Sequence, residues 1–496
     1  SDQPVADAGA GLVLNSGFFN KGFSAYDITG NQGLTVSDGT QLDVSMPVYR
    51  FGDNIQDAAT GSAPQTLLSL WTPELYQQDA IKGVLSQRKG ANLSLQAGSI
   101  LSTASERETA ALVIGTGARV SVDPGSTLSL ASVGQLSVDG QLDAWGGNIL
   151  LTQIKPAGLA DIPVVERPHQ RSILLGEHAV LDVSARAATA VDAQGRRYGR
   201  VDDGGSIVIG GSVDTDKGTA SAPDLFVVVK QGARLLANGA QAELDIRGQG
   251  ATTLSSAGGS IALSSNNGLR LDGAFQAVSG GVGAAGGSLS VALETPLYDR
   301  STVDDQVREP RELILSRGTG SASTDSLMSY GQGRLDVDKV NGGGFANLTL
   351  LSNGILSFAG DMHLNLAQSL QIYTGSLALA EGAPGDSRIS LNAPYVRLAG
   401  ATARGSDVHV RPTVQGGLSV RDSAAQLQVN ADLLDLRDVL TLGAHGVLAR
   451  QQGPALEVDR RGFAQAQLSS RGDLRFLGGS PLNFWQTATQ QLSKAG

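Results

Sequence analysis

A pair of glycines followed by a short alternating strand recurs along this chain, and that repeat constrains the fold more than any other feature. It stands at Gly146-Gly147-Asn148-Ile149-Leu150-Leu151, Gly204-Gly205-Ser206-Ile207-Val208-Ile209, Gly258-Gly259-Ser260-Ile261-Ala262-Leu263, Gly286-Gly287-Ser288-Leu289-Ser290-Val291 and, more loosely, Gly343-Gly344-Phe345-Ala346-Asn347-Leu348. From first glycine to first glycine the intervals are 58, 54, 28 and 57 residues. They are close to one or two multiples of about 28, within the range of solenoid repeats.

A second unit precedes the glycines, a strand ending in Leu-Asp at Leu142-Asp143, Leu181-Asp182, Leu244-Asp245, Leu271-Asp272 and Leu335-Asp336. From that leucine to the next double glycine is 4, 23, 14, 15 and 8 residues. The strands keep their form while the connection varies. A loop projecting from one corner of a repetitive scaffold behaves this way, because closure entropy grows slowly with loop length. A third unit, glycine before alternating residues, opens at Gly117, Gly176, Gly232 and Gly443. There glycine turns a corner and a strand follows.

Leu128 and Leu130, or Ile207 and Ile209, put apolar side chains on one face at period two. Short strands that each bury one face, about three per repeat, predict an all-β chain: a parallel β-helix, a solenoid whose coils stack at about 4.8 Å around one continuous core. A β-sandwich would end after about 100 residues, and a propeller would want blades of roughly 40 residues with aromatic signatures. Here the pattern continues past Leu442, and aromatics are 4% of the chain. The 65 glycines in 496 residues then read as turns, and 41% hydrophobic residues suffice for the core. At about 20 to 28 residues per coil, the chain would make around twenty coils and a rod of roughly 100 Å.

Three regions follow. Residues 1–90 start the β-helix with irregular loops and a helical insertion, in which Thr72 caps, Pro73 opens, and Leu75, Ile81, Val84 and Leu85 make the apolar face. Residues 91–476 form the rod, with extrahelical loops near 185–203 and 296–312. Residues 477–496 hold a C-terminal helix opened by Ser480-Pro481, with Leu482, Trp485, Ala488 and Leu492 at helical spacing, placed to cap the last coil.

With 47 acidic and 37 basic residues the net charge is ten negative, and no run of Lys or Arg makes a phosphate-binding stripe, which argues against a nucleic-acid partner. There is no cysteine, so neither disulfides nor thiolate metal sites stabilise the chain. No apolar run of eighteen residues is present, so the chain is not expected to span a membrane. The opening "SDQPVADAGAGLVLNSGFF" lacks the charged start and apolar core of a signal peptide. The chain is therefore expected to be either cytosolic or a piece of a longer exported protein.

Leu-Asp-Val-Ser, Gly-Gly-Ser-Ile, Gly-Ala-Arg-Val and Gly360-Asp361-Met362-His363-Leu364 together resemble the degenerate repeats of filamentous haemagglutinin-like exoproteins of bacterial two-partner secretion. The resemblance runs from about Leu93 to Phe476, and the family's N-terminal secretion domain is not found. It implies a right-handed β-helical rod, exported through an outer-membrane secretion pore to the bacterial cell surface or secreted. It also implies adhesion to surface glycans or proteins, biofilm cohesion, or delivery of a C-terminal toxin.

The polar stretch 185–203 is the leading candidate site. Arg186, Arg196, Arg197, Tyr198 and Arg200 gather guanidinium forks and an aromatic face beside Asp202 and Asp203, a set suited to an anionic glycan. Its counterpart runs from Tyr298-Asp299-Arg300 through Asp304-Asp305 to Arg308-Glu309-Pro310-Arg311. The plainer reading makes both solvated loops whose charges pair with each other. Clustering of Asp202, Asp203, Asp304 and Asp305 in one groove would instead favour a polysaccharide lyase or hydrolase. A third reading is an inert stalk presenting a toxin or partner that lies outside this chain. Arg471-Gly472-Asp473 spells an integrin-recognition tripeptide, but Gly472-Asp473 aligns with Gly360-Asp361 and reads as the opening of a strand. Gly281-Val282-Gly283-Ala284-Ala285-Gly286 fits the dinucleotide fingerprint by letter, yet a strand and not a helix follows. His169, His178, His363, His409 and His445 lack metal-ligand spacing, so no metal or other cofactor is expected.

Overall fold

The computed structural model describes residues 11–53, 55–155, 170–294, 311–318, 328–400, 418–421, 423–438, 440–445, 450–452, 455–478, 482–485 and 492–495. Successive coils lay their strands onto three ladders, all parallel, around a single core. The first ladder starts at Ala25–Gly30 and passes through Asn92–Ala97, Thr127–Ser132, Asn148–Gln153, Ser206–Gly210, Ser260–Ser265, Ser288–Leu293, Asn347–Phe358, Ser369–Leu379, Tyr395–Ala399 and Leu433–Arg437 to Leu474–Leu477. Alternate residues of these strands stack inward. Leu128, Ile149, Ile207, Ile261, Leu289 and Leu348 make one buried column, and Leu130, Leu151, Ile209, Leu263, Val291 and Leu350 the next. The chain is a parallel β-helix, as the alternation predicts.

The double glycines enter the first ladder in five consecutive coils, and close approach explains them. An added Cβ would lie 2.1 Å from the Ser126 carbonyl oxygen at Gly147, 2.0 Å from that of Gly147 at Gly205, 1.9 Å from that of Gly205 at Gly259, and 2.0 Å from that of Gly259 at Gly287. Each glycine carbonyl accepts a hydrogen bond from the next coil, as Gly147 does from Ser206 N at 2.9 Å and Gly205 from Ser260 N at 3.0 Å. Backbone thus packs on backbone at this corner, and only glycine fits.

The Leu-Asp unit does not mark one corner. Leu142 and Leu181 lie in the third ladder, Leu271 and Leu335 in the second, and Leu244 in a side hairpin. The constant glycine corner, together with excursions leaving from several points, gives the variable spacing.

Excursions also shorten the rod. The described first ladder holds twelve strands, or eleven steps, about 53 Å at about 4.8 Å each, well below the twenty coils expected.

Strands stand where both helices were expected, although Ser480, Pro481 and Ala488 of the second lie outside the described residues. Leu68–Trp71 pairs antiparallel with Val48–Phe51, and Tyr76–Asp79 pairs antiparallel with Val84–Gln87. The turn chemistry decides the second hairpin: Asp79 Oδ1 accepts from Ile81 N at 3.2 Å and Lys82 N at 3.0 Å, and Gly83 takes φ +63°. Ile81, assigned to an apolar face, is 93% exposed at the tip. At the other end Leu482–Trp485 continues the second ladder beside Thr441–Leu442, and Leu492–Ala495 returns antiparallel to it. A free ladder edge and an aromatic-rich segment favour strand over helix. The helices in the described residues are short, among them Pro64–Leu67, Ala104–Thr109 and Val337–Gly342.

One turn breaks the rule of sequential stacking. In the second ladder Gly268–Leu271 pairs with Gln332–Asp336, while Glu312–Ser316, earlier in sequence, lies one place further along, between Gln332–Asp336 and the 355–358 half of its neighbour. The third ladder is interrupted at the same turn, between a six-stranded sheet ending at Ala274–Gln276 and a four-stranded one beginning at Met362–Asn365. Helix Val337–Gly342 fills the gap against both, burying Val337 and Val340.

Candidate functional site

Hairpins 76–87, 187–201 and 241–255 all leave the rod at the corner where the third ladder passes to the first, so they stack along one flank. The polar stretch expected as a loop is the middle hairpin, Ala187–Val191 paired with Arg197–Val201. Its tip touches the first hairpin through Ala193 N donating to Ala80 O at 3.3 Å. Its far arm touches the third through Arg197 N donating to Asp245 Oδ2 at 2.5 Å.

Each predicted guanidinium stands on a carboxylate. Arg186 donates to Asp182 Oδ2 at 3.4 Å and stacks over the Trp145 ring at 4.3 Å, and Trp145 Nε1 donates to the same Asp182 oxygen at 3.2 Å. Arg196 is folded onto Asp192 at the tip, at 2.8 Å. Arg197 pairs with Glu243 and Asp245 of the third hairpin. Arg200 Nε meets Asp202 at 2.7 Å. Asp203 is used elsewhere, accepting from Ala257 N at 2.8 Å. The structure therefore brings together Arg186, Arg200 and Asp202, and separates Arg196, Arg197 and Asp203 from them. The Tyr198 hydroxyl is buried without a hydrogen-bond partner among the described residues.

Tyr76, from the first hairpin, joins the group. Burial raises its hydroxyl above the usual tyrosine range, Arg200 pulls it back, Asp202 raises it and Arg186 lowers it. The hydrogen bond to Asp202 in turn raises Arg200. Chemically this is a pair of partly exposed guanidinium groups, Arg186 stacked on the Trp145 ring and Arg200 within electrostatic reach of the Tyr76 hydroxyl, with donors left over after each meets its carboxylate. Such a surface can hold an anionic sugar by charge-assisted hydrogen bonds and ring contact. Exposed ion pairs of this kind add about 0–1 kcal/mol to stability, so their weight as fold determinants is small.

Sequence reading missed Tyr76 and Trp145. Tyr76 fell in the segment taken for helix. Trp145 did carry a signal, since it stands directly before the Gly146-Gly147 corner from which such excursions leave.

The other expectations can be placed as well. The counterpart loop, including Asp304 and Asp305, lies outside the described residues except for Arg311, which is buried. His169 and His409 also lie outside them; His178 pairs with Asp139 at 3.1 Å. No three His, Asp or Glu side chains gather to hold a metal among the described residues, and none of the described helices is long and apolar enough to cross a membrane. Gly281–Gly286 leads into strand Ser288–Leu293. Arg471 pairs with Asp432, and Gly472-Asp473 opens strand Leu474–Leu477 of the first ladder. Gly360-Asp361 opens a strand too, but in the third ladder.

A second constellation sits on the outer face of the first ladder, where register alone stacks Gln371, Arg397, Asp435 and Arg475. Arg475 grips Asp435 with two bonds of 2.7 and 2.8 Å, Tyr395 Oη donates to the same carboxylate at 2.8 Å, and Arg397 donates to both Tyr395 and Tyr373 hydroxyls at 2.8 Å.

Compared with protein-family models, curated proteins and solved structures, the chain matches none.

Proposed function

We propose that this chain is a structural and adhesive segment of a secreted bacterial cell-surface exoprotein, reaching the surface through an outer-membrane secretion pore. Its contact surface is the hairpin flank, its ligand an anionic surface glycan, and it performs no catalysis. The observation that carries the reading is Arg186 stacked on Trp145 at the rod's corner, with Arg200 of the middle hairpin near Tyr76 of the first, a charged and aromatic surface where the hairpins leave the rod. That Asp202 and Asp203 face different partners supports binding over hydrolysis, since glycoside cleavage needs two carboxylates set across one bond.

The test is to incubate the chain with acidic and neutral polysaccharides, following retention and the appearance of new chain ends. We expect retention of acidic polymers, weakening with salt, and no cleavage. Arg186→Gln with Arg200→Gln should cut affinity about tenfold or more, which corresponds to about 1.4 kcal/mol. New chain ends would replace this reading with that of a polysaccharide-degrading enzyme. Absence of retention on every polymer would leave an inert stalk.

A further inference from the structure

Between the first and second ladders of one coil the chain throws out a small hairpin, Val213–Asp214 paired with Thr219–Ala220, which runs along the rod instead of away from it. Asp214 shapes its turn, accepting from Asp216 N at 3.1 Å and Lys217 N at 3.0 Å. The hairpin lands on coils far later in sequence. Tyr373 Oη donates to Thr215 O at 2.6 Å, Arg397 Nη1 reaches Asp216 O at 3.4 Å, and Ala220 N donates to Glu294 Oε1 at 3.3 Å. A Cβ at Gly218 would stand 2.1 Å from the Tyr373 ring, so the two are in closest contact.

Beneath it lies an apolar stripe that the register builds on the outside of the first ladder. Ala292, Leu351, Tyr373 and Ala399 stack in line and are buried, with Val213 and Ala220 packed on them. The dimensions agree: Ser206–Gly210 to Ser369–Leu379 is four ladder steps, about 19 Å, and the six residues 211–216 reach about 20 Å when extended.

The position is telling. A solenoid's stability is a sum of nearest-neighbour interfaces, so its weakest junction sets where it divides. In this rod the turn where strand order inverts keeps the first two ladders paired but breaks the third, where a helix stands in place of a strand, so two ladders and not three tie its sides together. The hairpin leaves from a coil before that turn and grips two coils beyond it. The geometry points to an axial clasp: hairpin 213–220 couples the coils on either side of the irregular turn, so that the two halves of the rod open as one unit.

Hydrogen exchange of the full chain across a urea series tests this. In the unaltered chain Asn148–Gln153 and Tyr395–Ala399 should lose protection at one urea concentration. In Gly218→Val, which drives the hairpin off the ring, and in Tyr373→Leu, which keeps the stripe apolar but loses the hydroxyl, Tyr395–Ala399 should open at lower urea. Its exchange should be at least tenfold faster while Asn148–Gln153 is still protected. A single coincident transition in both variants, shifted or not, would overturn the proposal.

Discussion

At Gly205 and Gly259 the approach of neighbouring coils, and not a turn conformation, demands glycine. A methyl group at Gly259 would sit 1.9 Å from the Gly205 carbonyl oxygen, on backbone that cannot rotate away. Gly259→Ala should therefore lower stability by about 2 kcal/mol or more, in the range of overpacked cores, whereas Gly342→Ala, with open space around it, should change it little. Urea midpoints of the two variants check this. Asp435 is a residue at which pH acts on the ladder itself. Burial pushes its carboxyl up, but hydrogen bonds from Arg475 and Tyr395 and the charges of Arg475 and Arg397 outweigh burial and hold it below the usual range. A depressed carboxylate contributes its stability above the unfolded value of about 3.9 and loses it as pH falls through the folded one. Acidification below about pH 4 should thus speed exchange in Leu433–Arg437 and Leu474–Leu477, and Asp435→Asn should remove that dependence.

Among elements, the first-ladder strands were legible because two signals coincide there, glycine from backbone contact and alternation from one-sided burial. The stretch Tyr76–Gln87 was not, because its apolar residues also fit a helical face. A local contest between Asp79 side-chain bonds and helix propensity settled it. The segment after Pro481 failed similarly, since the pull of an open ladder edge is a tertiary effect that no window of sequence contains. The candidate site was half legible. Arg186, Arg200 and Asp202 lie in one polar stretch, but their aromatic partners come from residues 76 and 145, and only the stacking of excursions from a common corner unites them. Register likewise created the Gln371, Arg397, Asp435 and Arg475 column, whose members are spaced too irregularly to be found by inspection.

On the scale of the whole molecule, the chain divides labour between a rod and what the rod carries. The ladders bury a continuous aliphatic core and tolerate excursions at their corners, so surface chemistry can vary at little cost to the coil. In the function proposed above, binding belongs to the flank hairpins, and the rod sets their spacing. The most direct test replaces residues 187–201 by two glycines and measures both exchange protection of the ladders and retention of acidic polysaccharide. The account predicts ladders protected as before and retention lost. Retention at the original level on an intact rod would contradict it.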